Sequence, residues 1–217
     1  MTTAIFDLDG TIADTIEDLA DAVNCGLRKL NFPEHSIEAY KKFVGNGAMK
    51  LCFRALPDDK KDMSDELHAL FIEYYNMHYL DKTKLYEGIS NVMNTLSANG
   101  VTLAVATNKP QDVAREIIAK LLPDADFIKV LGGCNERPKK PAPDIINEIL
   151  RELPEDNKVY MIGDSNVDIQ TAKNCGLISI GCLWGFRGRQ ELEDAEADFI
   201  AEKAEDITKI IPLIKNK

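Results

Sequence analysis

Apolar residues fall along this chain in two rhythms. Five short runs are almost unbroken: Thr3–Leu8, Val101–Ala106, Asp126–Leu131, Val159–Ile162 and Leu177–Leu183. Their Val, Ile, Leu and Ala content, with little alternation, predicts strands buried on both faces. Between them, apolar positions recur at helical spacing and predict helices over Ile89–Ala98, Asp112–Leu121, Asp144–Leu153 and Asp168–Asn174. Strand alternating with helix predicts an α/β fold built on a parallel, Rossmann-like sheet. A weaker run, Ala197–Ala201, predicts an edge strand, followed by a terminal helix over Ala204–Leu213.

The first two runs are separated by more than ninety residues, too many for a single crossover. Helical periodicity fills the first part of that gap, over Ile16–Leu30, Ile37–Phe43, Ala48–Leu56 and Ser64–Tyr79, with Leu67, Leu70, Phe71, Tyr74 and Tyr75 on the last segment. The pattern predicts an all-helical insertion over residues 15–81 in an α/β core formed by 1–14 and 82–217. Tyr74, Tyr75 and Tyr79 are expected to be packing residues.

Composition narrows the function classes. At 217 residues the chain suits one core with a large insertion. Its 26 Lys and Arg against 36 Asp and Glu leave a net charge of −10. That balance argues against a nucleic-acid or anionic membrane partner. The five cysteines lack Cys-x-x-Cys spacing, so neither a disulfide framework nor a zinc site is expected. No basic leader and no apolar run near the roughly 18 residues of a membrane span are visible, and a cytoplasmic protein is expected. Monomer and homodimer both remain open.

Chemistry concentrates where the predicted strands end. The first closes in Asp7-Leu8-Asp9-Gly10-Thr11, which reads equally as an acidic turn or as two carboxylates at the ligand-binding edge of a sheet. The fourth closes in Gly163-Asp164-Ser165-Asn166-Val167-Asp168. A helix capping box accounts for Ser165 and partly for Asp168, but not for Asp164. If Asp7, Asp9 and Asp164 converge, like charges about 4 Å apart repel by roughly 4 kcal/mol at intermediate dielectric. Such a cluster takes up protons or holds a cation, and hard oxygen donors without His or Cys point to Mg²⁺. Thr107 and Asn108 follow the second strand and suit either helix capping or a phosphate cradle. Lys140, set among Pro138, Pro141 and Pro143, reads as a stiffly held cation or as a solvated basic loop.

Taken in order, Asp7-x-Asp9-Gly10-Thr11, Thr107-Asn108, Lys140-Pro-x-Pro143 and Gly163-Asp164-x-x-x-Asp168 resemble the motifs of the haloacid dehalogenase-like hydrolases, over essentially the whole chain. The helical insertion resembles that superfamily's C1 cap. The resemblance implies a central first strand flanked by the second and fourth. It also implies Asp7 as nucleophile toward phosphorus and Asp9 as acid and base, with its backbone carbonyl on the metal. Asp164 would bind Mg²⁺ beside Asp7, with Asp168 supporting that shell. Thr11, Thr107, Asn108 and Lys140 would surround the phosphate. An aspartate at position 9 disfavours carbon–halogen cleavage, since dehalogenases of this family lack it.

The insertion is expected to select the substrate. Val44-Gly45-Asn46-Gly47-Ala48 resembles the cap loop of phosphoglycolate phosphatases, which implies Gly45, Asn46 and Gly47 as substrate contacts; a plain helix–helix turn also fits. Ala48-Met49 stand where β-phosphoglucomutases place an arginine, which disfavours the mutase reading. Lys50 keeps a phosphonoacetaldehyde hydrolase reading open. Lys42, Lys50 and Arg54 are candidate partners for a substrate carboxylate, and Trp184-Gly185-Phe186-Arg187 a wall of the crevice. Glu87-Gly88 at the return from the insertion departs from a Pro-Gly pair common in related chains. The overall expectation is a Mg²⁺-dependent phosphatase for a small phosphorylated metabolite, with 2-phosphoglycolate as the best guess. Different-class readings are a receiver-type signalling domain, although Leu131-Gly132-Gly133 stands where receivers carry their phosphoacceptor, and an inactive scaffold.

Overall fold

The computed structural model describes residues 1–212. Six parallel strands form one sheet in the order β5-β4-β1-β6-β7-β8. They are β1 (Thr2–Phe6), β4 (Val101–Pro110), β5 (Phe127–Gly133), β6 (Lys158–Gly163), β7 (Ile178–Cys182) and β8 (Phe199–Ala201). The central strand is β1, with β4 and β6 on either side in matching register, Phe6 opposite Val105 and Ile162. Successive side chains of a strand point to opposite faces. Accordingly Ala4 and Phe6 join one apolar cluster while Ile5 joins another with Ala104, Ala106 and Met161. Both clusters are covered by helices: α5 (Ile89–Ala98) and α6 (Gln111–Leu121) serve the first, α7 (Asp144–Leu150) and α8 (Asn166–Asn174) the second.

The insertion is helical throughout: α1 (Ile16–Lys29), α2 (Ile37–Phe43), α3 (Ala48–Ala55), a 3₁₀ turn over Asp58–Met63, and α4 (Ser64–His78). These helices share an apolar cluster of their own, with Val23, Leu27, Leu67 and Phe71 at its centre. A two-stranded antiparallel ribbon, β2 (Ala13–Asp14) and β3 (Lys84–Leu85), ties its two ends together. Asp18, buried in the first turn of α1, reinforces the tie by accepting hydrogen bonds from the Lys82 and Thr83 amides and the Thr83 hydroxyl. Neither the ribbon nor the short α9 (Arg189–Asp194) has a periodic signature, because two to six residues are too few to show one.

Several boundaries differ from expectation for local reasons. The first strand stops at Phe6 rather than Leu8. Beyond it the backbone coils so that the Ile12 and Ala13 amides both reach the Leu8 carbonyl. The second run extends through Thr107 and Asn108 to Pro110. Helix α8 starts two residues early because Ser165 and Asp168 do form a capping box. The predicted terminal helix is a 3₁₀ turn over Ala204–Asp206 followed by α10 (Ile207–Ile210), and Leu213 lies outside the described residues. Among the described residues no helix is long and apolar enough to cross a membrane.

Candidate active site

The reversal of strand order beside β1 opens a crevice at the carboxyl ends of the strands, where open α/β sheets bind ligands. Asp7 leaves β1 at that point, its amide bonded to the Ile162 carbonyl at 2.9 Å. Asp164 leaves β6, and α8 returns Asp168 to the same spot. Ligating atoms of Asp7, Asp164 and Asp168 lie within 4.8 Å of one another. Space for them comes from absent side chains. A Cβ on Gly10 would stand 2.3 Å from Asp164 Oδ2, and one on Gly185 would stand 2.3 Å from Asp164 Cβ. The two glycines let backbone close around the carboxylate from opposite sides, so the Phe186 amide donates to Asp164 Oδ2 at 2.7 Å.

One buried ammonium pairs with two of these three buried carboxylates. Lys140 Nζ lies 3.1 Å from Asp7 Oδ1 and 2.6 Å from Asp168 Oδ1. Burial opposes its charge, but Asp168 and Asp7 together hold its pKa above the usual lysine range. The carboxylates are under the opposite pressure. Burial pushes Asp7 up to about 7, against the pull of Lys140 and with the repulsion of Asp168 and Asp9 added. Burial and the charges of Asp168 and Asp7 also raise Asp164 well above the carboxylate range. This surplus of buried negative charge, on hard oxygen donors without imidazole, fits a small divalent cation.

The acidic residues divide by environment. Both oxygens of Asp168 are already engaged: Oδ1 with Lys140, Oδ2 with the Ser165 amide and hydroxyl. Asp7 and Asp164 are therefore the carboxylates open to an ion, with Asp168 behind them. Asp9 stands apart from this group. Its Oδ1 accepts from the Thr15 hydroxyl at 2.7 Å and from Lys109 Nζ at 2.8 Å.

A cavity of about 50 Å³ separates the cluster from the insertion. Asp7, Asp9, Thr107, Asn108 and Asp164 form its floor; Gly45, Gly47, Ala48, Leu51 and Phe71 form its roof. Floor and roof are joined by polar ties. Asn108 Nδ2 donates to the Gly45 carbonyl at 3.0 Å and, on the core side, to the Lys140 carbonyl at 3.1 Å. Arg187 reaches the carbonyls of Lys41 and Val44, and the Tyr79 hydroxyl reaches Glu116 on α6.

Not every expected contact forms. Thr11 is fully buried away from the cavity, and its hydroxyl has no partner among the described residues; its carbonyl instead receives Trp184 Nε1 at 3.0 Å. Asn46 lies outside the cavity and accepts from Arg54 Nη2 at 2.6 Å. Arg54 also donates to the Phe43 carbonyl, so it braces the loop, while Lys42 and Lys50 are exposed and do not line the cavity. In the other direction, sequence reasoning passed over Lys109 and the hydroxyl of Tyr75, which meet at 2.7 Å. The available signal was a lysine directly after Thr107-Asn108 at the end of an apolar strand.

A family model for haloacid dehalogenase-like hydrolases matches residues 4–182. The phosphoglycolate phosphatase of Vibrio parahaemolyticus is 32% identical over 95% of this chain and 94% of its own length. That of Aquifex aeolicus is 30% identical over 97% of each. A crystal structure from Lactobacillus delbrueckii subsp. bulgaricus, provisionally named a phosphoglycolate phosphatase, superposes with a TM-score of 0.87 at 31% identity, covering 96% of this chain and 97% of its own. With four motifs on the strand ends of one parallel sheet and a family match over most of its length, this chain belongs to the haloacid dehalogenase-like hydrolases.

Proposed function

We propose that this chain is a phosphatase that hydrolyses a small phosphorylated carboxylic acid, 2-phosphoglycolate first among them, through an aspartyl-phosphate on Asp7. The carrying observation is the separation of two carboxylates at one strand end. Asp7 sits in the buried cluster beside Lys140, and Asp9 sits outside it on Lys109 and Thr15. An oxygen of Asp7 attacks phosphorus while the bond to the leaving alkoxide breaks, and Asp9 supplies the proton that the alkoxide takes. Water then attacks the same phosphorus, giving its proton to Asp9, and the bond to Asp7 breaks to release inorganic phosphate. Lys140 and Thr107 would face the phosphoryl oxygens, and Asn108 holds the Lys140 backbone in place. Asp7 and Asp164 would hold Mg²⁺, with Asp168 behind them. Bound there, the ion would supply positive charge against the negative charge on the phosphoryl oxygens.

The substrate reading rests on the names of the relatives and on the small cavity under the roof, which suits a compact leaving group. A panel of phosphorylated metabolites assayed with Mg²⁺ tests it. The expected result is a kcat/KM for 2-phosphoglycolate at least about tenfold above hexose phosphates and nucleotides. A preference for a hexose phosphate, or its isomerisation, would replace the reading with a sugar-phosphate enzyme.

Ion binding has a readout independent of turnover. A carboxylate whose pKa is raised on folding adds stability only while protonated, so Asp7 loses that contribution as pH climbs through about 7. Magnesium relieves the same surplus charge. Millimolar Mg²⁺ should therefore raise Tm by about 5 °C at pH 8, and by much less at pH 5, where protons compete for Asp7 and Asp164. Equal melting curves with and without Mg²⁺ at pH 8 would count against the site.

A further inference from the structure

Asp9 is held from one side only. Both of its protein donors, Thr15 Oγ1 and Lys109 Nζ, reach Oδ1, and Oδ2 accepts nothing among the described residues. A carboxyl pinned this way leaves Oδ2 as the oxygen open to exchange a proton with a substrate. The orientation of that oxygen therefore depends on what holds Oδ1.

Lys109 is an unusual holder. It is 4% exposed at the end of β4, and its ammonium spans the junction between core and insertion. On the core side it meets Asp9 at 2.8 Å. On the other side it meets the hydroxyl of Tyr75, on α4, at 2.7 Å and lies 5.1 Å from the centre of that ring. Tyr75 is itself buried, stacked on Phe71 with ring centres 4.9 Å apart, so the insertion's own packing sets the position of its hydroxyl. A buried ion pair contributes little stability over an apolar substitute of the same shape. Packing alone therefore gives no reason for an ammonium here, whereas fixing an oxygen does.

We infer that Lys109 is a positioning residue through which Tyr75 couples the seating of the helical insertion to the orientation of the Asp9 carboxyl. This rests on the proposed acid–base role of Asp9. With the insertion seated, Lys109 has both partners and Asp9 Oδ2 is turned toward the leaving oxygen. With the insertion lifted, Lys109 loses the phenol and its ring face, and Asp9 is held by Thr15 and a less constrained ammonium. Proton donation is then efficient only while the insertion covers the substrate.

Leaving-group dependence separates this role from a structural one, because a p-nitrophenolate departs without a proton and an alkoxide does not. The experiment measures kcat/KM for alkyl, phenyl and p-nitrophenyl phosphates with the full-length Lys109→Met, Tyr75→Phe and Asp9→Asn variants and the Lys109→Met/Tyr75→Phe pair. Lys109→Met should lose ~100-fold on the alkyl phosphate and under ~3-fold on p-nitrophenyl phosphate. Tyr75→Phe, which keeps the ring and the fold, should lose ~5-fold on the alkyl phosphate alone, and nothing more once Lys109 is gone. A loss by Lys109→Met that is uniform across leaving groups and carried by KM would overturn the inference and make Lys109 a substrate contact. Additive losses in the pair would overturn the link to Tyr75. If Asp9→Asn shows steep leaving-group dependence while Lys109→Met shows none, the inference alone fails. If Asp9→Asn shows none either, the acid–base reading falls and the inference with it.

Discussion

Asp7→Asn should lower turnover of any phosphomonoester by at least about 10⁴-fold while the protein stays folded, because in the proposed scheme an amide cannot form the acyl phosphate on which both half-reactions depend. The size of the effect follows from placement. Asp7 is the residue that leaves the central strand into the crevice, where Lys140 and the Leu8 amide hold Oδ1 at 3.1 and 2.7 Å. No other carboxylate of the cluster is placed to replace it, since Asp168 has both oxygens engaged and the Phe186 amide holds Asp164 Oδ2. Stability should move the other way. Burial and neighbouring carboxylates raise the wild-type group to about 7, so at pH 8 its charge is held at a cost that asparagine removes. Without added metal the variant should melt no lower than the parent at that pH. Steady-state kinetics and thermal melting check both halves, and retained turnover would end the covalent scheme.

Lys140→Met should damage both stability and rate. Lys140 is 3% exposed, and its ammonium stands between Asp7 and Asp168. Removing one partner of a buried ionic cluster leaves uncompensated charge and costs about 3 kcal/mol, far more than the pair contributes relative to apolar residues of the same shape. The variant should lose about that much in urea denaturation at pH 8, and ~10²–10³-fold in kcat/KM as charge on the phosphoryl oxygens goes unmatched. Adding Asp168→Asn tests the explanation. The paired variant should recover much of the stability by removing the stranded charge, and none of the activity. An unchanged denaturation midpoint in Lys140→Met would show that Asp7 and Asp168 do not depend on this cation.

Strand ends were legible because local signals mark them. Asp7, Thr107 and Asp164 each follow an apolar run, and a buried strand tolerates a carboxylate at its end far better than among its apolar residues. Capping chemistry at Ser165 was equally readable, since a capping box spans four residues. Thr11 and Asn46 show where such reading stops. Both sit in segments with the right composition, yet the backbone turns one hydroxyl into the protein and Arg54 draws the other's amide to the outer side of the loop. Arg54 itself looked available to a substrate carboxylate, and instead its guanidinium satisfies the carbonyls left open where α2 ends.

Lys109 marks the same limit from the other direction. It meets Asp9 across 100 residues of chain and Tyr75 across 34. Neither distance follows from spacing along a strand or helix. Each depends on the register of β4 beside β1 and on how the insertion settles over the crevice. Periodicity and turn chemistry act over a few residues, so this chain announced its parallel core, its helical insertion and the strand ends that carry its polar groups. Which carboxylates remain free, which ammonium each one meets and how the insertion reaches Asp9 were settled by docking elements remote in sequence, where angstrom-scale geometry decides whether two charges pair.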